Sequence, residues 1–459
     1  MSTAVKTKNK IDMINGPLVG GIIRFSLPIM ATGILQHLYN AADIMVVGKF
    51  AGDVAQGAVS ATGALISVIT NACIGLSVGA NVVVARMLGA KNKNGVHRAV
   101  HTAIALSIIC GVIATLVGFF SAEYFLNITD CPPEMIELSA LYIKLFILGA
   151  PVSMLYNFGA AILRAIGDTK RPLIFLATSG LVNVGLNLVF VICFEMSVAG
   201  VAIATVISQV LSAGLITVVL IREKSDIRLK ITGIRVYKRE LVNIVKVGVP
   251  SSIQSVLFSV SNVIIQSSYN SFGEIAVSGV GVGSNIECFG YFAMNAVYQA
   301  ALTFVSQNYG AGNYSRLNKI MVRCIAIVSV IGLVFGGLTI IFGRQLAGLY
   351  TNSTDVIDYA MERVMVISST HFFCGIMEVV SAMLRGIDRS MFPLIVSIIG
   401  ACGFRIVWIV TIFKWYRSLN TLYISYPITW VLTTVIMFVG YVYYYRKMMV
   451  KQTKVCAEK

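Results

Sequence analysis

Three long apolar segments of the sequence carry polar side chains at helical spacing, and their oxygen atoms could bind a small cation. Gln36, Asn40 and Asp43 stand at positions i, i+4 and i+7, so in a helix they share one face. Two later segments repeat this arrangement with the pairs Asn183 and Asn187, and Thr205 and Gln209. Carboxylate, amide and hydroxyl oxygens are hard ligands that suit sodium, and a lone Asp in hydrocarbon could instead carry a proton at neutral pH. The residue types therefore fit either ion.

Each of these groups also has a purely structural interpretation. Asp43 stands late in its apolar segment, and a short helix would leave its carboxylate among lipid headgroups. Asn183 and Asn187 would serve equally well as hydrogen-bonding groups between two packed membrane helices. In either case an ionisable or amide side chain in hydrocarbon has to face protein, water or an ion. Spacing alone leaves both interpretations open.

The second half of the chain has polar helix faces of its own. Glu287, Tyr291 and Asn295 share a face on one apolar segment, and Glu378 lies on a later one. Arg405 lies in the middle of the next segment, where a buried guanidinium needs an acid, and Glu378 is the obvious partner. We therefore predict an Arg405–Glu378 ion pair, which would be a structural clamp or a second ion or substrate site.

Composition indicates what kind of elements carry these residues. Of 459 residues, 57% are hydrophobic and 12% are charged, whereas a soluble chain carries roughly twice that charge. The mean hydropathy of +0.82 is typical of polytopic membrane proteins, so a soluble enzyme is excluded. The net charge of +16 is expected in cytoplasmic loops and not on a nucleic-acid-binding face.

Twelve apolar windows are long enough to span a membrane, which predicts an all-α polytopic protein. They lie at about 17–43, 56–81, 99–120, 136–160, 172–194, 197–221, 241–269, 275–305, 320–343, 357–383, 393–414 and 420–445. Lys and Arg are concentrated in alternate connections, including 222–240 and the tail after 445. With an even number of spans, both termini are expected in the cytoplasm and the chain in the cell (plasma) membrane.

The chain repeats itself at a shift of 221 residues. Gly89-Ala90-x-Asn92 recurs as Gly310-Ala311-x-Asn313, and Ala161-x-Leu163-Arg164-x-Ile166 recurs as Ala382-x-Leu384-Arg385-x-Ile387. We therefore predict two six-helix lobes, an N-lobe at 1–221 and a C-lobe at 241–445, with a linker at 222–240 and a cytoplasmic tail at 446–459. Six spans per lobe give both lobes the same orientation, an arrangement typical of transporters with a central site.

These features together resemble one transporter family. The resemblance rests on the run Leu38-Tyr39-Asn40-Ala41-Ala42-Asp43, on Val83-Val84-Ala85-Arg86-Met87-Leu88-Gly89-Ala90, and on the paired Leu-Arg loops of the repeat. The chain resembles the multidrug and toxic compound extrusion (MATE) family, most closely its DinF-like branch. The resemblance implies an antiporter that expels organic cations from a cavity between two lobes as protons or sodium ions move inward.

The resemblance also assigns roles to single positions. In the DinF-like branch the coupling site of the N-lobe would fall on Asp43, Asn183 and Thr205, and a cavity-facing Asn would fall on Asn157. The second acid of that branch falls here on Asn187. We assign ion coupling to Asp43, Asn183, Asn187 and Thr205, with Asp43 as a sodium ligand if sodium is the ion. The substrate cavity is assigned to Gln36, Tyr39, Asn40, Asn157, Gln209, Glu287, Tyr291, Asn295, Glu378 and Arg405.

The same residues rank the other functional classes. The expected partners are amphipathic cations and membrane lipid. Some of the many aromatic and Met side chains would contact the cations. No cofactor beyond the coupling ion and no oligomer are expected. The alternative is a flippase for a lipid-linked oligosaccharide or another lipid, but such a protein should line its cavity with several cations. Only four His occur, without an H-E-x-x-H or a P-loop motif, so an enzyme and an ATP-driven pump are disfavoured.

Overall fold

The computed structural model describes residues 11–128 and 132–457, and all of the regular structure in them is helical. The outermost residues of the predicted N-lobe and of the predicted tail lie outside the described residues. The first half of the chain forms α1 (Leu18–Ala51), α2 (Asp53–Gly89), α3 (Lys93–Ile128), α4 (Pro133–Ile147), α5 (Ala150–Ala165), α6 (Lys170–Leu188) and α7 (Ser197–Arg222). The second half forms α8 (Lys238–Asn270), α9 (Glu274–Gly310), α10 (Ser315–Gly348), α11 (Thr354–Gly386), α12 (Met391–Ser397), α13 (Phe404–Val410), α14 (Ile412–Trp415) and α15 (Leu419–Ala457).

The all-α membrane class is confirmed, and every predicted span contains a helix. Among the described residues, ten helical stretches are long and apolar enough to cross a membrane, and the pair α4 and α5, bent by 47°, makes an eleventh. The helix α9 covers the eighth predicted span with 37 residues but is not among the ten. Its buried polar side chains, such as Glu287, lower its hydropathy. The stretch Met391–Trp415 is a single span broken by a π-helical turn at Ile398–Gly403.

Helix α3 shows how such a helix meets lipid. Large apolar side chains follow one another at intervals of three and four residues and are exposed at the surface of the protein. They are Ile109, Val112, Ile113, Leu116, Val117 and Phe120. The opposite face carries small residues, Gly111, Gly118 and Ala122, which are buried against other helices. An apolar exposed face and a small-residue packed face are what a helix at the periphery of a membrane bundle requires.

The duplication is visible in the backbone itself. Gly52 and Gly273 both have φ of +90° in the turn that follows α1 and α8, and they stand 221 positions apart. The same shift relates Lys91 to Gly312, both in the left-handed region after α2 and α9. Because a Cβ is unfavourable at φ of +90°, glycine is the residue suited to the first of these turns. Turns repeated at one offset support a two-fold repeat of six helices.

The chain divides into two compact units, and the divisions fall inside helices. The first unit contains residues 31–256, and the second contains 12–30 together with the described residues from 257 onward. In α1, residues 18–30 thus belong to the second unit and residues 31–51 to the first. In α8, residues 238–256 belong to the first unit and residues 257–270 to the second. The units therefore exchange half-helices and do not separate at the predicted linker, which runs between Arg222 and Lys238 with a 3₁₀ turn at Ile231–Gly233.

In the first unit the exchanged half of α8 packs closely on α2. The hydroxyl of Ser252 donates to the carbonyl of Ala72 at 3.0 Å. A Cβ built on Gly79 would lie 2.2 Å from the carbonyl oxygen of Ile244, so only glycine allows this approach. In the second unit the exchanged half of α1 packs on α9, where Ser26 donates to the carbonyl of Ala296 at 3.2 Å.

Candidate functional site

A cavity of about 410 Å³ lies in the first unit, enclosed by α1, α2, α4, α5, α6 and α7. It collects eight of the nine candidate residues that the sequence placed in this half: Gln36, Tyr39, Asn40, Asp43, Asn157, Asn183, Thr205 and Gln209. The ninth, Asn187, is fully buried and lies behind the lining. The helical spacing of the first-helix stripe thus places Gln36, Asn40 and Asp43 on one cavity wall.

Asp43 is buried among the predicted coupling residues. Its side chain is 8% exposed, and its Oδ1 accepts a hydrogen bond from Nδ2 of Asn187 at 2.5 Å. Asn183 completes the group, because its Nδ2 donates to Oγ1 of Thr205 at 3.3 Å and its Oδ1 accepts from Asn187 at 3.4 Å. Three helices, α1, α6 and α7, therefore hold four polar side chains in one network.

The Asp43 network contains one negative charge and neutral ligands. No Lys, Arg or His among the described residues forms an ion pair with Asp43. Within the same residues, Oδ1 of Asn187 and Oε1 of Gln209 are buried without a hydrogen-bond partner. A buried carboxylate without a counter-charge is costly, and the free amide oxygen of Asn187 beside it can help to complete the shell of a small cation. The described residues contain no cluster of three His, Cys, Asp or Glu for a transition metal.

Tyr39 forms the cavity wall between α1 and α6. Its hydroxyl donates to the carbonyl of Ala177 at 3.2 Å. Its ring lies directly on Gly180, where an added Cβ would come within 1.9 Å of the ring atoms. On α5, Asn157 donates from Nδ2 to the carbonyl of Ser153 at 2.9 Å, one turn earlier in the same helix. These local contacts hold the amide and the phenol in the cavity wall.

A second cavity of about 410 Å³ lies within the second unit. Of the five candidates that the sequence placed there, Glu287, Tyr291, Glu378 and Arg405 line this cavity. Asn295 is absent from its lining. The candidate substrate residues thus form two separate groups, one in each unit.

The predicted Arg405–Glu378 ion pair is wrong. Among the described residues Arg405 forms no ion pair, and its Nε donates to Oγ1 of Thr429 at 3.3 Å. The ion pair in this region joins Arg363 to Glu287, with 3.0 Å between Nη2 and Oε2. Helix rotation turns Arg405 toward α15, where its guanidinium lies 4.1 Å above the ring of Tyr426.

Arg363 is the charged residue of the second cavity that was not among the sequence-predicted candidates. It lies inside the predicted span 357–383, directly after the acids at 355–362, and in the structure α11 begins at Thr354 and Arg363 is buried. The signal was present, because Arg363 lies two turns before His371 on the face that continues to Glu378. Extending that polar stripe toward the N-terminus would have found Arg363.

Comparison with known proteins identifies the family. The MatE family profile matches the chain twice, at residues 28–189 and at 250–411, which together exceed half of its length. The chain belongs to the MATE family. The two matches begin at Pro28 and Pro250, so the duplication seen in the turns extends through both halves of this MATE protein. It is a multi-pass membrane transporter of the multidrug efflux class and not an enzyme.

Curated relatives and solved structures agree with this assignment. The MATE chain is similar to the probable multidrug resistance protein YoeA of Bacillus subtilis, at 24% identity over 92% of this chain and 93% of YoeA. It is also similar to the multidrug export protein MepA of Staphylococcus saprophyticus, at 24% identity over 83% and 84% of the two chains. A solved outward-facing multidrug resistance MATE transporter of the MOP superfamily has the same fold, with a TM-score of 0.89 at 23% identity over 97% and 99% of the two chains.

Proposed function

We propose that this MATE transporter is a secondary antiporter that exports amphipathic organic cations while protons or sodium ions move inward. The observation that supports it most is Asp43, a buried carboxylate in the wall of the first cavity without a basic partner among the described residues. A lone negative charge in a low-dielectric cavity attracts a cation strongly and can be neutralised by only one at a time. The relatives YoeA and MepA are named for multidrug resistance and multidrug export, which favours drug-like substrates.

Competition for Asp43 would couple the two movements. An organic cation enters the first cavity and is held by the Asp43 carboxylate and by aromatic faces such as that of Tyr39. An incoming proton or sodium ion then neutralises Asp43, and Asn183, Asn187 and Thr205 supply the remaining oxygen ligands for sodium. The organic cation loses its counter-charge and leaves on the outer side.

Alternating access would require the helices around the cavities to bend. Pro28 lies inside α1 and Pro250 inside α8, and the units exchange half-helices at positions close to these two prolines. Each proline removes one backbone hydrogen bond, so bending costs less there than elsewhere in the helix. We propose that α1 and α8 bend near these prolines during each transport cycle, as the two lobes rock about the bound organic cation.

The branch and the surroundings are part of the proposal. A coupling network on α1, α6 and α7 matches the DinF-like branch, but with Asn187 in place of its second acid the mechanism uses one carboxylate. No Glu occurs at 241–269, where the NorM-like branch would place one. We expect a monomer in the cell membrane with both termini in the cytoplasm, surrounded by lipid and without a nucleic-acid partner. A lipid flippase is less favoured because the lining of the first cavity has no Lys or Arg.

Efflux from proteoliposomes tests the proposal. Wild type is expected to move ethidium against its gradient when a proton or a sodium gradient is imposed separately, and Asp43→Asn is expected to abolish the gradient-driven part. The matched control is Asp53→Asn, which changes an exposed carboxylate at the start of α2 and should behave as wild type. Gradient-driven ethidium efflux by a well-folded Asp43→Asn protein would exclude Asp43 as the coupling group.

A further inference from the structure

Arg405 is a buried guanidinium without an acidic partner among the residues that the structure describes. It is 3% exposed and lies in the lining of the second cavity. Its Nε donates to Thr429 at 3.3 Å, and the guanidinium carbon lies 4.1 Å from the ring centre of Tyr426. These two contacts fix the plane of the guanidinium but supply no negative charge. Both terminal Nη groups are left without a described acceptor.

Neither acid of the second cavity forms an ion pair with Arg405 among the described residues. Glu287 forms its ion pair with Arg363, and both side chains are buried. Glu378 lies in the same lining and forms no ion pair within the part of the chain that the structure describes. The positive charge of Arg405 is therefore not neutralised by an ion pair among those residues.

A charge in this position is complementary to a ligand that carries one negative charge. An unpaired buried charge is costly, and a bound anion removes that cost by supplying the missing counter-charge. The two Nη groups form a planar fork that matches a carboxylate with two parallel hydrogen bonds. A monocarboxylate on this fork would neutralise the single charge of Arg405, whereas the Glu378 carboxylate in the same lining disfavours a more highly charged anion such as phosphate.

The rest of the second cavity fits a flat ring. Its lining includes Tyr291, Tyr426 and Trp430. The ring of Trp430 is itself held by His371, which stacks on it at 5.7 Å between ring centres with an interplanar angle of 18°. A cavity of about 410 Å³ is large enough for a small aromatic molecule, since ligand pockets of roughly 300–1,000 Å³ are usual.

We propose that the second cavity binds an aromatic monocarboxylate, with its carboxylate on the Nη groups of Arg405 and its ring against Tyr291, Tyr426 and Trp430. The proposal goes beyond cation antiport, because it adds a ligand of the opposite charge. It also lies in a different unit from Asp43, so a failure of one proposal leaves the other intact.

Equilibrium dialysis of the purified full-length protein in detergent tests the site. The probes are naphthoate, neutral naphthamide and naphthylmethylammonium, which share one ring system and differ in charge, with empty micelles as the blank. Wild type is expected to bind naphthoate at least tenfold more tightly than either of the others. Naphthoate should also change the fluorescence of Trp430, and Trp430→Phe should remove that change.

Charge variants connect the preference to one residue. Arg405→Met, of similar length, should weaken naphthoate binding at least tenfold and leave naphthamide binding within twofold of wild type. Arg405→Lys keeps the charge but not the planar fork, and should weaken naphthoate binding by a smaller factor. Arg417→Met is the matched control, because it changes an exposed arginine. The Arg417→Met protein should bind all three probes as wild type does.

Two results would overturn the proposal. The first is equal binding of naphthoate and naphthamide by wild type, and the second is unchanged naphthoate binding by a folded Arg405→Met protein. Should Arg405→Met not fold, two other measurements still test the site. They are the preference of wild type for naphthoate over the other probes, and the loss of the naphthoate-induced fluorescence change in Trp430→Phe. A naphthoate preference without any change at Trp430 would place the anion elsewhere and likewise overturn the site.

Discussion

Asn187 donates from Nδ2 to Oδ1 of Asp43 at 2.5 Å, across 144 positions of sequence. The same amide leaves its Oδ1 without a hydrogen-bond partner among the described residues, although the side chain is fully buried. Asn187 thus uses its donor on the carboxylate and keeps an acceptor beside it. An amide oxygen next to a carboxylate is the ligand pair that a small cation needs, whereas a proton needs only the carboxylate.

Replacing Asn187 by Asp should strengthen sodium binding. Two carboxylates at this distance repel each other unless a cation lies between them, so added sodium should stabilise Asn187→Asp more than wild type. We expect the apparent sodium Kd to fall about tenfold, measured from melting temperatures in sodium chloride and choline chloride at equal ionic strength. Asn270→Asp, at an exposed residue, is the control. Equal sodium responses of Asn187→Asp and Asn270→Asp would show that Asp43 and position 187 do not share an ion.

Breaking the Glu287–Arg363 ion pair should destabilise the protein strongly. Both side chains are below 10% exposed, so Glu287→Gln leaves a buried guanidinium without its acid, a loss of about 3–5 kcal/mol. The double variant Glu287→Gln with Arg363→Met should recover most of this loss, because it removes both charges. Thermal unfolding in detergent measures the effect.

An exposed ion pair on the same unit provides the comparison for Glu287. Arg344 and Asp358 are 2.6 Å apart, but their side chains are 67% and 59% exposed. Water screens such a pair, so Asp358→Asn should cost less than about 1 kcal/mol. Equal losses for Asp358→Asn and Glu287→Gln would contradict the view that burial makes the inner pair important.

Gly180→Ala should alter the first cavity without unfolding the protein. The added methyl group would meet the far end of the Tyr39 side chain, which can swing away only by losing its hydrogen bond to Ala177. We expect a several-fold higher KM for ethidium in the efflux assay and little change in melting temperature. Gly185→Ala on the same helix meets nothing within 4 Å and should keep the wild-type KM. A similar KM in all three proteins would remove Tyr39 from the substrate path.

Local patterns account for the part of the structure that the sequence predicted. The length of each span follows from its apolar composition. The repeated turns follow from single residues such as Gly52 and Gly273, because residues with a Cβ rarely adopt their backbone conformation. The wall of the first cavity was predictable because Gln36, Asn40 and Asp43 belong to one helix, where spacing alone places them together.

Contacts between helices account for what the sequence did not predict. Which acid faces Arg405 depends on how α11, α13 and α15 are rotated about their axes, and no spacing within one segment contains that information. The exchange of half-helices between the units is equally non-local, because it results from packing against the other half of the chain. Arg363 was missed for a different reason: it lies near the start of the predicted span 357–383, directly after several acids, where a charged residue is expected at the membrane surface.

Gly79→Ala should show how much the exchanged half of α8 contributes to the first unit. The added Cβ would lie 2.2 Å from the carbonyl oxygen of Ile244 and 2.8 Å from the nitrogen of Gly248, and backbone atoms cannot rotate away as a side chain can. The two helices must separate, which should cost about 1–3 kcal/mol or more as overpacking. Gly63→Ala, on the same helix with nothing within 4 Å, should be neutral or slightly stabilising, because alanine loses less backbone entropy. Thermal unfolding of the two variants in detergent compares them directly. Were Gly79→Ala as stable as Gly63→Ala, the close contact between α2 and α8 would not be needed for the stability of the first unit. The proposal that α8 bends at Pro250 while its first half stays fixed on α2 would then be contradicted.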